Sequence, residues 1–196
     1  YKITGQALGG KTMGRIVPAL DSSGHPVAVK ILDQRRYSDE LYLSAFRRGI
    51  KALKILADRG VDGTMNVRDA YELPPTIVMD YINCASLEDA VSSANFSPRD
   101  CLHVIRSASE TVLKAHLLPE IVLHRDIRPS NILLEAFDWG DGTFKGVKVI
   151  DFDLAWHVGA LGEDFIRSDR DSLGFQAPEQ IKGGNSAQRR TTLIDS

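Results

Sequence analysis

The hydrophobic pattern of this chain is dominated by short strand-like runs up to Tyr81 and turns helical after it, and that change divides it. Residues 15–20 (RIVPAL) and 26–32 (PVAVKIL) are short apolar runs separated by Asp21-Ser22-Ser23-Gly24-His25, a turn composition. They read as a hairpin, preceded by a loop from Leu8 to Gly14 that holds three glycines in seven residues. Residues 66–71 and 76–82 read as two more strands, with Pro74-Pro75 between them. Between the pairs, residues 39–59 place Leu41, Ala45, Phe46, Ile50, Leu53, Leu56 and Ala57 at spacings of three and four, which is helical. Ser38 is placed to cap that helix and Gly60 to end it. These strands and one helix make a small sheet-rich unit over residues 1–82, expected to hold five strands in all.

After Tyr81 the pattern becomes helical. Ser86-Leu87-Glu88-Asp89 opens one helix, and Ser97 followed by Pro98 opens another. The second is expected to bury Leu102, Ile105, Ala108, Val112, Leu113 and Leu117. Strand-like runs follow at 121–123, 132–134 and 147–150, the last two joined by a turn at residues 138–142. The fold class is α+β, with the two parts, 1–82 and 83–196, meeting near residues 82–85.

Composition narrows the function classes. With 24 Lys and Arg against 26 Asp and Glu, the net charge of −2 excludes a globally basic nucleic-acid binder, and no nucleic-acid partner is expected. No apolar run approaches the length of a membrane span. Cys84 and Cys101 are the only cysteines, without a CxxC, which argues against a disulfide framework or structural zinc and fits a reducing cytoplasm. The chain opens on Tyr1 and stops at Ser196 in mid-pattern, and reads as part of a longer protein.

The densest chemical signal is His124-Arg125-Asp126-Ile127-Arg128-Pro129-Ser130-Asn131, followed twenty positions later by Asp151-Phe152-Asp153. Asp126 and Asp151 both lie beside short apolar strands, at the rim of a hairpin. One carboxylate can accept a proton from a substrate hydroxyl; an Asn and a second carboxylate can hold Mg²⁺ through oxygen. Phosphoryl transfer needs little more than an aligned hydroxyl, neutralised phosphates and a nearby positive charge.

These residues resemble the signature of a eukaryotic-type Ser/Thr protein kinase catalytic domain. His124 to Asn131 is similar to the HRD catalytic loop and Asp151-Phe152-Asp153 stands where the family has DFG. Ala177-Pro178-Glu179 matches APE, and Val27-Ala28-Val29-Lys30 matches the strand of the nucleotide lysine. Residues 78–82 resemble the hinge, and residues 192–196 the start of the next large helix, where the family places a buried Asp at Asp195. The resemblance implies a bilobal fold, cut short in a mostly helical second lobe, which uses ATP and Mg²⁺ on a protein substrate.

By that resemblance Asp126 orients the hydroxyl and takes its proton, Arg128 touches the γ-phosphate, Asn131 and Asp151 hold Mg²⁺, and Lys30 pairs with the α- and β-phosphates. Leu8, Gly9, Gly10, Lys11 and Gly14 belong to the phosphate loop. Ile16, Ala28, Met79, Ile82, Leu133 and Ile150 surround adenine, with backbone groups of Asp80 and Ile82 supplying hydrogen bonds. Arg125 grounds a phosphate or acidic group of the activation segment, residues 151–179. That segment holds Ser168, a possible phosphorylation site, and Ser172, a hydroxyl that supports the catalytic Asp.

The chain departs from the family at several points. Lys11 stands at the middle glycine of the loop, where it either crowds the phosphates or binds them. The position nineteen residues after Lys30, where many relatives carry a helix Glu that pairs with the lysine, is Gly49. Its loss is expected to leave Lys30 less well oriented, at a helix-propensity cost of roughly 1 kcal/mol. Asp153 replaces the DFG glycine. The hairpin after Asn131 is about seven residues longer than usual, a tolerated surface insertion. Gly49, Lys11 and Asp153 keep open a nucleotide-binding module without turnover; a kinase-like small-molecule phosphotransferase, which shares the Asp…Asn…Asp geometry, is a further alternative, against which Arg125 and the APE motif argue. Plainer readings apply elsewhere. His116 is a packed helix residue, and His124 orients its loop. Asp138 and Asp141 belong to a hairpin turn. Cys84 and Cys101 are inert. Arg35-Arg36, Arg47-Arg48 and Arg189-Arg190 are solvated faces.

Overall fold

The structure, a computed structural model, describes residues 1–8, 13–93, 95–161, 174–181 and 190–195. Its first part is a five-stranded antiparallel sheet in the order β1-β2-β3-β5-β4. The strands are β1 (Lys2–Ile3), β2 (Gly14–Leu20), β3 (Pro26–Leu32), β4 (Val67–Glu72) and β5 (Pro75–Asp80). Register pairs Ile16 with Lys30 and Lys30 with Ile77, and in the next row Pro18 with Ala28 and Ala28 with Met79. Because side chains alternate along a strand, Val17, Ala19, Val27, Val29 and Val78 form a small apolar cluster on the other face.

Helix α1 (Glu40–Asp58) covers the Leu32, Ile77 and Met79 face through Ala45, Phe46, Ala52, Leu53, Ile55 and Leu56. Its N-cap is Asp39, whose carboxylate accepts the Leu41 N–H, one position later than the expected Ser38. Gly60, at φ 67°, ends it as expected, with the Gly60 and Val61 amides closing onto Ala57 and Leu56. Arg48 is no solvated residue: it is 5% exposed, donates to the Leu161 carbonyl and lies over the Trp156 ring.

The second part begins with β6 (Cys84–Ser86), which joins β7 (Ile132–Glu135) and β8 (Gly146–Val149) in a three-stranded antiparallel sheet. The helix opened by Ser86 is short, α2 (Leu87–Ala90). Helix α3 (Pro98–His116) starts in a complete capping box between Ser97 and Asp100. Of its expected apolar face, Ala108 is buried and Val112 half-buried, and the rest is corrected. Val104, Ala108, Thr111 and Ala115 are buried, whereas Leu102, Ile105, Leu113 and Leu117 are exposed. Residues 121–123 form no strand; Leu123 makes an isolated bridge to Trp156.

The long β7–β8 turn is docked. Phe96 packs against Phe137 and Phe144, and the Asn95 amide donates to the Gly140 carbonyl. Asp138 and Asp141 accept hydrogen bonds from Gly140 and Thr143 inside the turn, as a hairpin requires. Among the described residues, no helix is long and apolar enough to cross a membrane.

Candidate active site

The loop from His124 to Asn131 is held from several directions. Asp195, whose side chain is fully buried, accepts the His124 and Arg125 backbone amides at 2.7 and 2.6 Å and pairs with His116 Nε2 at 3.0 Å. Burial alone would raise its carboxyl; the hydrogen bonds from His116 and from the His124 and Arg125 amides outweigh that and hold it below the usual range. His116 is therefore more than a packed residue. Gln180, in the short helix α4 (Pro178–Ile181), donates to the Arg125 carbonyl and accepts from the Ala177 amide. These bonds secure Arg125 at φ 70°, a left-handed conformation rare for a long side chain.

His124 orients the next residues, as the sequence suggests. Its Nε2 bonds the Ile150 carbonyl at 2.8 Å and its ring meets Phe152 edge-on at 4.6 Å. The Asp126 amide donates to His124 Nδ1. Asn131 Nδ2 donates to the Asp126 carbonyl at 2.8 Å and to its carboxylate at 2.9 Å. Asn131 thereby fixes Asp126 and turns its own Oδ1 to other use. Arg128 Nε bonds Ser130 Oγ at 2.6 Å.

Asp151 enters from the end of β8. The Ile150 amide bonds the Asn131 carbonyl at 2.9 Å, so Asn131 and Asp151 leave from neighbouring backbone. Asp151 has φ 65°, a conformation Asp tolerates better than most residues. Across from it, Lys30 Nζ contacts Asp151 Oδ1 at 2.7 Å and Asp153 Oδ2 at 2.6 Å. The expectation of a poorly oriented Lys30 is thus corrected: the buried ammonium is gripped by two carboxylates. Burial alone would lower Lys30; Asp151 and Asp153 more than reverse this, and it stays charged. With one ammonium between two carboxylates, the second negative charge is the costly one. Burial and the charge of Asp151 push Asp153 up.

A model of the protein kinase domain family matches residues 3–195. The chain belongs to the protein kinase family. The kinase domain is 30% identical over 188 residues to "Serine/threonine-protein kinase cds1" of Schizosaccharomyces pombe, a match covering 92% of this chain and 38% of that protein. It is 28% identical over 191 residues to "Probable serine/threonine-protein kinase PknB" of Bifidobacterium longum, covering 91% and 26%. With human "NUAK family SNF1-like kinase 2" it shares 29% over 183 residues, covering 91% and 27%. The chain thus spans well under half of each relative.

In this kinase domain the other expected residues fall as follows. Ala28 and Met79 are buried neighbours across β3 and β5, and Ile16, Ile82, Leu133 and Ile150 are half-buried. The Asp80 amide is taken by the Asn66 carbonyl, and its carboxylate by Arg68 and Asn66. Leu8 is exposed, its amide bonded to the Ile16 carbonyl. Gly14 is obligatory, since a Cβ there would lie 2.0 Å from the Ile31 carbonyl oxygen. Gly9, Gly10, Lys11, Ser168 and Ser172 lie outside the described residues. Burial pushes the Cys84 thiol up, away from the reactive thiolate.

Sequence reasoning singled out neither Gln180 nor the Arg48–Trp156 contact. Neither has a sequence signal, because each partner is brought in by tertiary packing.

The family generally uses ATP and Mg²⁺. Among the described residues, no three His, Cys, Asp or Glu side chains gather to hold a metal. The donors here are one carboxylate, Asp151, and one amide oxygen, Asn131. This hard-oxygen pair suits a Mg²⁺ that takes its remaining ligands from phosphates and water.

Proposed function

We propose that this domain transfers the γ-phosphate of ATP to Ser or Thr hydroxyls of a protein substrate, with residues 1–82 and 83–196 as the lobes on either side of the nucleotide. The observation that carries this reading is the placement of Asp126. Its carboxylate is fixed by Asn131 on a loop pinned to Asp195, and the same Asn131 backbone bonds the residue preceding Asp151.

Asp126 orients the substrate hydroxyl and accepts its proton as the oxygen attacks. Asn131 and Asp151 hold Mg²⁺, which when bound neutralises the phosphate charge. Lys30 pairs with the α- and β-phosphates, and Arg128 lies nearest the γ-phosphate. Ile16, Ala28, Met79, Ile82, Leu133 and Ile150 form an apolar slot for adenine, with Leu8, Gly9, Gly10, Lys11 and Gly14 over the phosphates. Because the Asp80 amide is already bonded, its carbonyl is the group that addresses the base, together with the Ile82 backbone.

The test is phosphate transfer from γ-labelled ATP with Mg²⁺ by the full-length protein, beside Asp126→Asn. Label with the wild type and none with the variant supports the reading. No label from either, while ATP still binds, replaces it with a nucleotide-binding module.

A further inference from the structure

Lys30 faces a helix that offers it no carboxylate. At Gly49 the backbone of α1 meets the turn that follows β8: a Cβ there would lie 2.8 Å from the Phe152 carbonyl oxygen and 3.5 Å from the Asp153 Cα. Helix and turn pack backbone to backbone, an approach that only glycine permits. Arg48, the preceding residue, holds the helix to the segment beyond the turn through the Leu161 carbonyl and the Trp156 ring. This seat carries the turn inward until Asp153 Oδ2 stands 2.6 Å from Lys30 Nζ.

The two carboxylates on Lys30 are not equivalent. The Asp153 side chain is 13% exposed and that of Asp151 27%. Asp151 is also the one placed beside Asn131, and a carboxylate that ligates a cation cannot serve a lysine fully at the same time. One of the two is free to exchange only if the other stays.

We propose that Asp153 is the dedicated positioning residue of Lys30, delivered by the close packing at Gly49 in place of a carboxylate on α1, and that it leaves Asp151 exchangeable. The first half rests on geometry alone; the second rests on the nucleotide reading above. Gly49 and Asp153 then form one compensated arrangement, not two separate losses.

Two measurements on the full-length protein separate these halves. The first is a double-mutant cycle in urea with Lys30→Met and Asp153→Asn. If the pair is real, Asp153→Asn raises the unfolding midpoint more in the Lys30→Met background, where it removes an uncompensated buried charge, than beside Lys30. Equal effects in the two backgrounds overturn the pairing. The cycle needs no nucleotide, so it decides even if wild type binds no ATP, which would sink the nucleotide reading and the exchange of Asp151 with it.

The second is ATP binding across a Mg²⁺ titration, for wild type, Asp153→Asn and Asp153→Glu. In Asp153→Asn, Asp151 becomes the only counter-charge of Lys30 among the described residues. The Mg²⁺ concentration for half-maximal ATP binding should rise about tenfold, the scale of one charge-assisted hydrogen bond. Asp153→Glu, which keeps the charge, should recover most of it. A merely structural side chain, replaced by its isostere, would leave the Mg²⁺ dependence unmoved, and that result overturns the exchange of Asp151.

Discussion

Replacing a glycine in the middle of a helix by alanine ordinarily stabilises by about 1 kcal/mol. Gly49→Ala should do the opposite. The added carbon starts 2.8 Å from the Phe152 carbonyl oxygen, about 0.5 Å inside the separation at which C–H···O contacts settle. Both partners are fixed to backbone, so no rotamer change relieves the overlap; α1 or the 152–154 turn must move. Overpacking of this kind costs about 1–3 kcal/mol. Set against the propensity gain, mid-range values leave a net loss of about 1 kcal/mol. The move also separates Asp153 from Lys30, now at 2.6 Å, so ATP affinity should fall with stability. Urea unfolding at unchanged slope reads the first effect, and ATP titration the second. A variant as stable as wild type, or more so, with unaltered ATP affinity would refute the argument that α1 is seated on that turn.

Other outcomes follow from the same geometry. Gly14→Ala should cost more than Gly49→Ala, about 2–3 kcal/mol by thermal or urea unfolding, because its methyl would fall 2.0 Å from the Ile31 carbonyl oxygen and β2 would have to leave β3. Asp126→Asn should lower kcat by about 10²–10⁴ with little change in ATP affinity, since it removes the base and keeps the shape. Asp195→Asn should lose about 2–3 kcal/mol near neutral pH, with two buried amides then facing a poorer acceptor. Asp195 has a depressed folded pKa, so its contribution is present above the unfolded value and lost as pH falls through the folded one. The gap between wild type and Asp195→Asn should therefore close below about pH 4, measured by urea midpoints across pH.

Much of the sheet could be read from the chain because its apolar pattern is sharply bounded, with short apolar runs for the strands and a hairpin marked by Asp21 to Gly24. Helix α1 was legible for the same reason, down to its ending at Gly60. The face of α3 was not. Its bulk lies in Leu102, Ile105, Leu113 and Leu117, which dominate any hydrophobic pattern, yet the buried seam is Val104, Ala108, Thr111 and Ala115. Those smaller side chains allow close approach: Gly63 comes so near that a Cβ on it would overlap Thr111. Pattern reading weighs apolar size; packing here selected smallness. The positions of Asp126, Asn131 and Asp151 were legible as a motif. The partner of Lys30 was not, because Gly49 and Asp153 each read as a defect until the backbone contact between them is seen.

Beside the local bonds of the His124–Asn131 loop, some of the bonds that shape the candidate site join residues far apart along the chain. Asp195 reaches the His124 amide across 71 positions, and Lys30 reaches Asp153 across 123. Closing such long loops is entropically slow, whereas the β2–β3 hairpin and α1 need only near neighbours. The order of assembly follows. On a ribosome, the sheet and its helix can form while the loop at His124 still lacks its anchor. Arg125 can be held in its left-handed turn by Asp195 only after that residue, 70 positions downstream, has emerged, so the geometry of this loop trails the sheet and α1.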